Sequence, residues 1–231
     1  MAIAIQPDPD PTRSRLLQAA GEVFADLGYH GATVRDICAK AGANVAAVNY
    51  HFRDKMGLYI AVLKHCMGEV PEEDTPDPVL LAAAPQEALR AFITGMLHRM
   101  YGAGERDAWH LRIMTHEMAH PTEALPRVVD EIMAPKYAAI RRIVSHLIGL
   151  PLDHDTTRLC AHSVIGQVVH YAHARPAIAL LWPDLKMTPR RLDQIAAHIT
   201  DFSLCSLRAT ARAHGRPPGT KNPKRTQRTS R

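Results

Sequence analysis

The chain has 231 residues, of which 46% are hydrophobic and 22% charged, and its formal net charge is +5. This hydrophobic content is ample for a packed core and excludes a largely disordered chain. No apolar stretch is long enough to cross a membrane, and the opening MAIAI lacks the basic segment and cleavage site of a signal peptide, so we expect a cytoplasmic protein with no membrane partner.

A short flexible leader is predicted over residues 1–11 from the sequence QPDPDP. A helix is expected to follow, because apolar side chains recur at helical spacing until Gly28 provides a stop. These apolar positions are Leu16, Leu17, Ala20, Val23, Phe24 and Leu27.

The next segment predicts two short helices joined by a tight turn. Thr33 is placed to cap the first helix, and Asp36 three residues later to complete a capping box. Gly42 supplies the turn, and Asn44 is placed to cap the second helix. Two helices joined by a turn that contains Gly form the helix-turn-helix pattern of DNA-binding domains. The alternative is an ordinary buried three-helix unit, which would leave the small apolar side chains of the second helix without a partner.

The second helix, over residues 45–52, is suited to enter a DNA groove. Val45 and Ala46 are small and apolar where a solvent-facing helix normally carries charge, so its backbone can approach base edges and thymine methyl groups. Asn49 is able to hydrogen-bond an adenine edge, and neighbouring polar or basic side chains suit phosphates. The predicted DNA-contacting residues are Thr33, Arg35, Asn44, Val45, Ala46, Asn49, Tyr50, His51 and Lys55.

The string AGANVAAVNYHFRDKMGLY resembles the N-terminal domain of TetR/AcrR-type transcriptional regulators, with the likeness extending from Arg13 to about Met67. The resemblance implies phosphate contacts at Thr33 and Lys55, and entry of the 45–52 helix into the major groove. Asn49 stands where many members carry an aromatic residue, which affects the base preference. Together with the downstream segment EMAHPT, the helix looks most like a subgroup that responds to antibiotics and other toxic compounds.

The rest of the chain predicts an all-α architecture with a DNA-binding domain over residues 12–70 and a ligand-binding and dimerisation domain over residues 85–211. The segment PEEDTPDP marks a linker over 71–84. Helices are expected near 85–101, 106–119, 122–149, 155–175 and 189–211, and Pro135 is expected to kink or divide the third of these.

The last two long helices are the predicted dimer interface, since they are rich in apolar residues. A symmetric dimer spaces two recognition helices about one turn of DNA apart, which suits a palindromic operator. By resemblance, the corresponding helices of the family form a four-helix bundle across a two-fold axis. The alternative assigns both helices to the monomer core. The interface residues predicted are Val164, Val168, Ile195, Ile199 and Phe202.

A site for a small effector is expected between the linker and the dimer helices. Methionines make adaptable apolar walls, and a few polar groups orient a bound molecule. A methionine row at helical spacing also suits ordinary core packing, which is the alternative. The candidate ligand-binding residues are Met96, Met100, Trp109, Met114, His116, Met118, Tyr137, Gln167 and His170.

One motif points to a different class of protein. The segment from His116 to His120 fits H-E-x-x-H, in which two histidines bind zinc and Glu117 acts as general base. Pro121 disfavours helical conformation at His120, and no third ligand stands at a recognised spacing. The four cysteines are far apart in the sequence and lack C-x-x-C spacing. We therefore expect no metal, cofactor or catalytic residue, with a zinc-dependent hydrolase as the alternative function.

The C-terminal segment 212–231 carries seven Lys or Arg residues and no acid, which predicts a basic disordered tail able to add phosphate affinity or simply solubility. Without these seven, 21 basic residues remain against 23 acidic ones, so the body of the chain has a charge of about −2. The combined prediction is a homodimeric transcriptional regulator that binds double-stranded DNA and is released by an apolar or amphipathic small molecule. Repression is expected in preference to activation.

Overall fold

The computed structural model describes residues 10–67, 78–101 and 109–215, and its regular structure there is entirely helical. This confirms the all-α prediction. The N-terminal helices are α1 (Pro11–Gly31), α2 (Val34–Ala41), α3 (Val45–Phe52) and α4 (Lys55–Met67). The later helices are α5 (Pro78–Ala83), α6 (Pro85–Tyr101), α7 (Trp109–Ala119), α8 (Leu125–Val128), α9 (Ala134–Ile148), α10 (Asp155–His173), α11 (Arg175–Leu181) and α12 (Pro189–Ala213).

The start of α1 is fixed by Asp10, whose carboxylate accepts hydrogen bonds from the backbone amides of Thr12 and Arg13 at 2.9 and 3.3 Å. Gly28 interrupts α1 with φ of 68°, a backbone conformation that favours glycine, and the chain then completes one further turn. The predicted stop is therefore a kink. Leu27, expected on the apolar face, is more than half exposed and is not part of the core.

The apolar side chains form two cores, which divide the chain differently from the predicted domains. The first core contains buried residues of α1 to α4 together with Trp109 and Ile113 of α7, Ala124, Val128 of α8 and Ile132. The second core is formed by α5, α6, α9, α10 and α12. Part of the segment expected to belong to the ligand-binding domain thus completes the core of the helices predicted to bind DNA.

The contact between α1 and α7 depends on a glycine. Gly21 lies under the indole of Trp109, and a Cβ atom at that position would lie 2.3 Å from the ring carbons. Trp109 is almost fully buried there. The absence of a side chain at Gly21 therefore allows the two helices to approach closely.

The predicted helix over 122–149 is divided near Pro135, as expected, but the division takes the form of a π-helical turn that the sequence pattern does not predict. The five residues Val129–Met133 form a π-helical turn between α8 and α9, and Pro135 stands in the first turn of α9. A proline there removes one backbone donor, and the widened π-helical turn before it keeps the chain helical.

Two short helices fall outside the predicted elements. α5 lies in the second half of the predicted linker, where Leu81 is buried in the second core. α11 follows α10 after Ala174 and begins at Arg175–Pro176, a position in which proline suits the first turn. The leader up to residue 9, the linker residues 71–77, the helix start at 106–108 and the tail from residue 216 lie outside the described residues.

Across the three described stretches of the chain, none of the helices has both the length and the apolar character needed to cross a membrane.

We predict that Gly21→Ala lowers the free energy of unfolding by about 1–3 kcal/mol, the usual cost of overpacking a core. The new Cβ would meet the rigid indole of Trp109 at 2.3 Å. Urea denaturation followed by circular dichroism measures the change.

The matched control is Gly95→Ala in α6, where the nearest atom is the flexible guanidinium end of Arg99 at 3.1 Å. Alanine is the better helix former, so this variant should be neutral or up to about 1 kcal/mol more stable. Equal stability of the two variants would contradict the proposed packing role of Gly21.

Candidate functional site

The turn between α2 and α3 has the geometry predicted from its residues. The Thr33 hydroxyl accepts a hydrogen bond from the Asp36 amide at 3.1 Å and donates one to the Asp36 carboxylate at 2.6 Å. Gly42 has φ of 60°, and Asn44 caps α3 by accepting from the Ala46 amide at 3.0 Å. Both predicted caps are confirmed, although the Asp36 carboxylate binds the Thr33 hydroxyl and not the capping amide.

α3 has a buried side and an exposed side. Val48 and Phe52 lie in the first core and attach the helix to the domain. Four of the predicted DNA-contacting residues lie on the exposed side: Val45, Ala46, Asn49 and Tyr50. Tyr50 is 84% exposed and Val45 43%, so both side chains are available to a partner on the same side of the helix. The helix therefore presents a small apolar surface with polar groups towards its C-terminal end.

Charged and capping groups stand at the starts of α2 and α4, the helices on either side of α3 in the chain. Lys55 begins α4, with its ammonium 4.5 Å from the ring centre of Tyr29. Thr33 and Arg35 are exposed at the start of α2. Because Asp54 accepts a hydrogen bond from the Gly57 amide at 2.7 Å, the first turn of α4 is ordered by its own cap.

His51 has a different environment from the other predicted DNA-contacting residues. Its side chain is only 10% exposed, and its Nε2 atom lies 3.5 Å from the Asp10 carboxylate. The imidazole also lies edge-on to the Tyr50 ring, with 4.8 Å between ring centres. His51 thus has little free surface for a nucleic acid and instead connects α3 to the start of α1.

The nine residues predicted to bind an effector are not brought together at one place. Trp109 and Met114 pack in or against the first core, beside α1 and α4. The His116 ring packs against α1, and Met118 and His170 lie on the surface. The sequence pattern predicts that these residues lie on helices. It does not predict which neighbouring helix each of their side chains packs against.

The remaining predicted effector residues lie around the second core. Met96, Met100 and Tyr137 are partly buried against it. Gln167 of α10 donates a hydrogen bond to the Ser203 hydroxyl of α12 at 3.2 Å, so its amide already has a partner. Of the residues predicted to bind an effector, these are the ones that lie around the second core.

Most residues predicted for the dimer interface belong to the monomer core. This corrects the assignment of four side chains, which are 6% exposed or less and pack with α6 and α9: Val164, Val168, Ile195 and Ile199. Phe202 of α12 is 63% exposed, as is Leu159 of α10 at 67%. Of the residues predicted for the interface, Phe202 alone is on the exposed faces of these two helices. Leu159 is an exposed apolar residue that was not in the predicted set.

The H-E-x-x-H segment has a structural explanation. Glu117 is fully buried and accepts hydrogen bonds from the hydroxyl of Tyr59 and from the amide and hydroxyl of Thr122, at 2.7, 3.0 and 3.1 Å. α7 ends at Ala119, before His120, as Pro121 led us to expect. Across residues 10–67, 78–101 and 109–215, no group of three or more His, Cys, Asp or Glu side chains is arranged as a metal site. Glu117 therefore has neither the access nor the free oxygen atoms that a general base requires.

A capped helix-turn-helix with an exposed second helix, followed by a helical C-terminal part, defines a DNA-binding regulator of the helix-turn-helix class. Two family models match the chain. The model described as bacterial regulatory proteins, tetR family, matches residues 16–62. The model described as HTH-type transcriptional dual regulator CecR, C-terminal domain, matches residues 85–210. The chain belongs to the TetR family of transcriptional regulators, in the group with the CecR C-terminal domain.

Individual relatives agree with this assignment. The HTH-type transcriptional dual regulator CecR of Shigella flexneri is 26% identical over 179 residues, which cover 74% of this chain and 80% of that protein. The HTH-type transcriptional activator FasR of Mycolicibacterium smegmatis is 46% identical over 55 residues, which are 24% of this chain and 25% of that protein. FadR from Bacillus subtilis, solved in complex with stearoyl-CoA, has the same fold with a TM-score of 0.61, 18% identity and coverage of 83% and 97%. The relatives are regulators and not enzymes.

Proposed function

We propose that this protein is a homodimeric repressor that binds a palindromic operator through α3 and is released by a small apolar or amphipathic effector. The single observation that carries the proposal is the exposed side of α3, where Val45, Ala46, Asn49 and Tyr50 stand free of the core. Repression needs only occupancy of the DNA, whereas activation also needs a surface for polymerase, so repression is the simpler mode.

The proposed contacts divide into base contacts and phosphate contacts. Asn49 and Tyr50 are assigned to base edges in the major groove or to the sugar-phosphate backbone that borders it. The small side chains of Val45 and Ala46 allow α3 to approach the bases closely. Thr33, Arg35 and Lys55 are assigned to phosphates. Asn44 supports α3 as its cap and also stands at the groove edge. His51 is left out of the proposed contact set because of its burial.

We predict that Tyr50→Ala weakens binding to the selected operator by about tenfold or more, the usual cost of losing a specific contact. Because Tyr50 is 84% exposed, its loss should change stability by no more than about 0.5 kcal/mol. Lys55→Ala should weaken binding to all duplexes and reduce the salt slope by about one. The measurement is fluorescence anisotropy over a salt series, on a duplex that the wild-type protein selects from a random pool and on a random duplex of equal length.

Two surface variants serve as controls for this experiment. Leu180→Ala in α11 removes a side chain as exposed as Tyr50, and Lys186→Ala removes an exposed lysine between α11 and α12. Both should bind DNA like the wild type. If Tyr50→Ala and Lys55→Ala also retain wild-type affinity and salt slope, α3 is not the recognition helix.

The proposed dimer forms through the exposed faces of α10 and α12. Leu159 and Phe202 are apolar and largely exposed there, and a Cβ built on Gly166 meets no atom within 4 Å. An exposed apolar strip with a small residue suits close helix packing across a two-fold axis. Gln167 and Ser203 connect the two helices within one protomer, so the face is presented as a unit.

We predict that Leu159→Asp gives a folded monomer with much weaker operator binding, because it would place an uncompensated charge in the interface. Sedimentation velocity and circular dichroism measure assembly and folding. Leu27→Asp in α1 is the control, since it makes the same change at another exposed leucine and should leave a dimer. Val168→Asp, by contrast, should unfold the protomer. A dimeric Leu159→Asp variant would place the interface elsewhere.

The proposed effector site lies among the partly buried residues of the second core, including Met96, Met100 and Tyr137. Adaptable thioethers beside an aromatic ring suit an apolar ligand. Two ligand classes deserve comparison: antibiotics and other toxic hydrophobic molecules, to which the recognition-helix subgroup is linked by resemblance, and long-chain acyl-CoA, which is present in the Bacillus subtilis FadR structure.

We predict that an effector raises the melting temperature of the free protein and weakens operator binding, because ligand and DNA oppose each other by the same factor. Stearoyl-CoA and a panel of hydrophobic antibiotics are the compounds to screen by thermal shift and then by competition against the selected operator. Met96→Lys should abolish the thermal shift but retain operator binding, whereas Met118→Lys, at a surface position, should retain both. A full response in Met96→Lys would exclude this location.

A further inference from the structure

Glu117 is the only fully buried carboxylate in the described part of the chain, and it lies where α7 meets α4. Its Oε2 atom accepts a hydrogen bond from the hydroxyl of Tyr59 at 2.7 Å. Tyr59 belongs to α4, the helix that directly follows the recognition helix, and is 1% exposed. A side chain of the C-terminal half is thus joined to the DNA-reading half by a buried polar contact.

Thr122 completes the surroundings of this carboxylate. Its backbone amide and hydroxyl donate to Glu117 Oε1 at 3.0 and 3.1 Å, and its hydroxyl also accepts from the Ala124 amide at 3.2 Å. The donors that the described residues supply are all neutral. A buried carboxylate without a cation depends on such donors, and Tyr59 is the donor that α4 supplies, so a movement of α4 relative to α7 that removes it is costly. Burial and this hydrogen bond both raise the pKa of Tyr59 above its usual value, so its hydroxyl remains a donor.

α4 also meets the C-terminal helices through contacts of other kinds, including its His65 ring, whose centre lies 6.3 Å from that of Trp109 and 5.5 Å from that of His110. Lys64 pairs with Glu131 of the π-helical turn, but both side chains are more than a third exposed and the pair is screened by solvent. Apolar contacts at this junction, such as Ile113 and Ile132 in the first core, resist separation but not sliding. The hydrogen bond between Tyr59 and Glu117 is directional and therefore fixes the relative position of the two helices.

We propose that Glu117 is a positioning residue for operator binding, and that its hydrogen bond with Tyr59 holds α4, and with it α3, in the orientation that reads the operator. The inference rests on the proposed function and specifies how the C-terminal helices control it. α4 connects directly to α3 through the segment Arg53–Asp54, so a rotation of α4 changes the direction of the recognition helix. Release of this hydrogen bond is then a local event with an effect at the DNA.

The test compares Tyr59→Phe with Tyr101→Phe. Each change removes one hydroxyl from a largely buried tyrosine that donates a hydrogen bond. Tyr101 donates to the Tyr171 carbonyl, which lies within the C-terminal helices, so this variant reports the general effect of losing such a bond. Glu117→Gln is a third variant, because its amide keeps the shape of the carboxylate and can still hydrogen-bond Tyr59.

The measurements are anisotropy titrations on the duplex selected by the wild-type protein and on a random duplex, together with amide hydrogen exchange. Tyr59→Phe should lose about tenfold in affinity for the selected duplex, within the usual range for coupling between sites, and keep its affinity for the random duplex. Its amides in α4 should exchange about tenfold faster, while those of α10 and α12 stay as in the wild type. Tyr101→Phe should bind the selected duplex like the wild type, and Glu117→Gln should lie between wild type and Tyr59→Phe.

Three outcomes count against the proposal. The first is wild-type affinity of Tyr59→Phe for the selected duplex, the second is an equal loss in Tyr101→Phe, and the third is an equal loss on both duplexes. Failure of the wild-type protein to select any duplex is a separate result, which would overturn the proposed function itself.

Discussion

The packing of α7 against α1 and α4 is the constraint on which the arrangement of the whole chain depends. Trp109 occupies the space left open at Gly21, and Glu117 accepts its hydrogen bond from Tyr59 a little further along the same helix. The DNA-reading helices are therefore not a separate globule attached by a linker, since part of their core comes from the C-terminal half. Movement between the halves would expose apolar surface and take the Tyr59 donor away from the buried Glu117 carboxylate, and both effects oppose it.

Signals contained within a few residues could be predicted from the sequence, because they depend on the backbone nearby. The caps at Thr33 and Asn44 and the left-handed turn at Gly42 are of this kind, and each is confirmed. The bounds of the long helices were also predicted closely, from periodicity together with proline and glycine positions. α11 was missed because its short apolar sequence after a proline has no periodic signal of sufficient length, and the π-helical turn before Pro135 leaves no mark in the hydrophobic pattern.

Assignments that depend on a partner in space could not be made from the sequence. Val168 and Ile199 are apolar at helical spacing, and that pattern is the same whether the helix faces the interior of its own protomer or a second copy. The His51 imidazole is a side chain suited to contact a phosphate. Its Nε2 atom nevertheless lies beside the carboxylate of Asp10, a residue 41 positions earlier in the chain. The H-E-x-x-H spacing was likewise ambiguous, since the role of Glu117 depends on Tyr59, a residue whose proximity no local pattern reveals.

These contacts limit how the effector proposed for the second core can influence the DNA-reading helices. α9 borders that core and directly follows the π-helical turn. Ile132 of this turn lies in the first core, and Glu131 of the turn pairs with Lys64 of α4. A ligand that displaces α9 would therefore pull on α4 through its apolar contacts as well as through a weak surface pair. The buried hydrogen bond to Glu117 resists this displacement from the other side, because α7 is anchored on α1. In the proposed release of the operator, the response depends on the difference between these two attachments, and a ligand acts only to the extent that it favours the displaced arrangement.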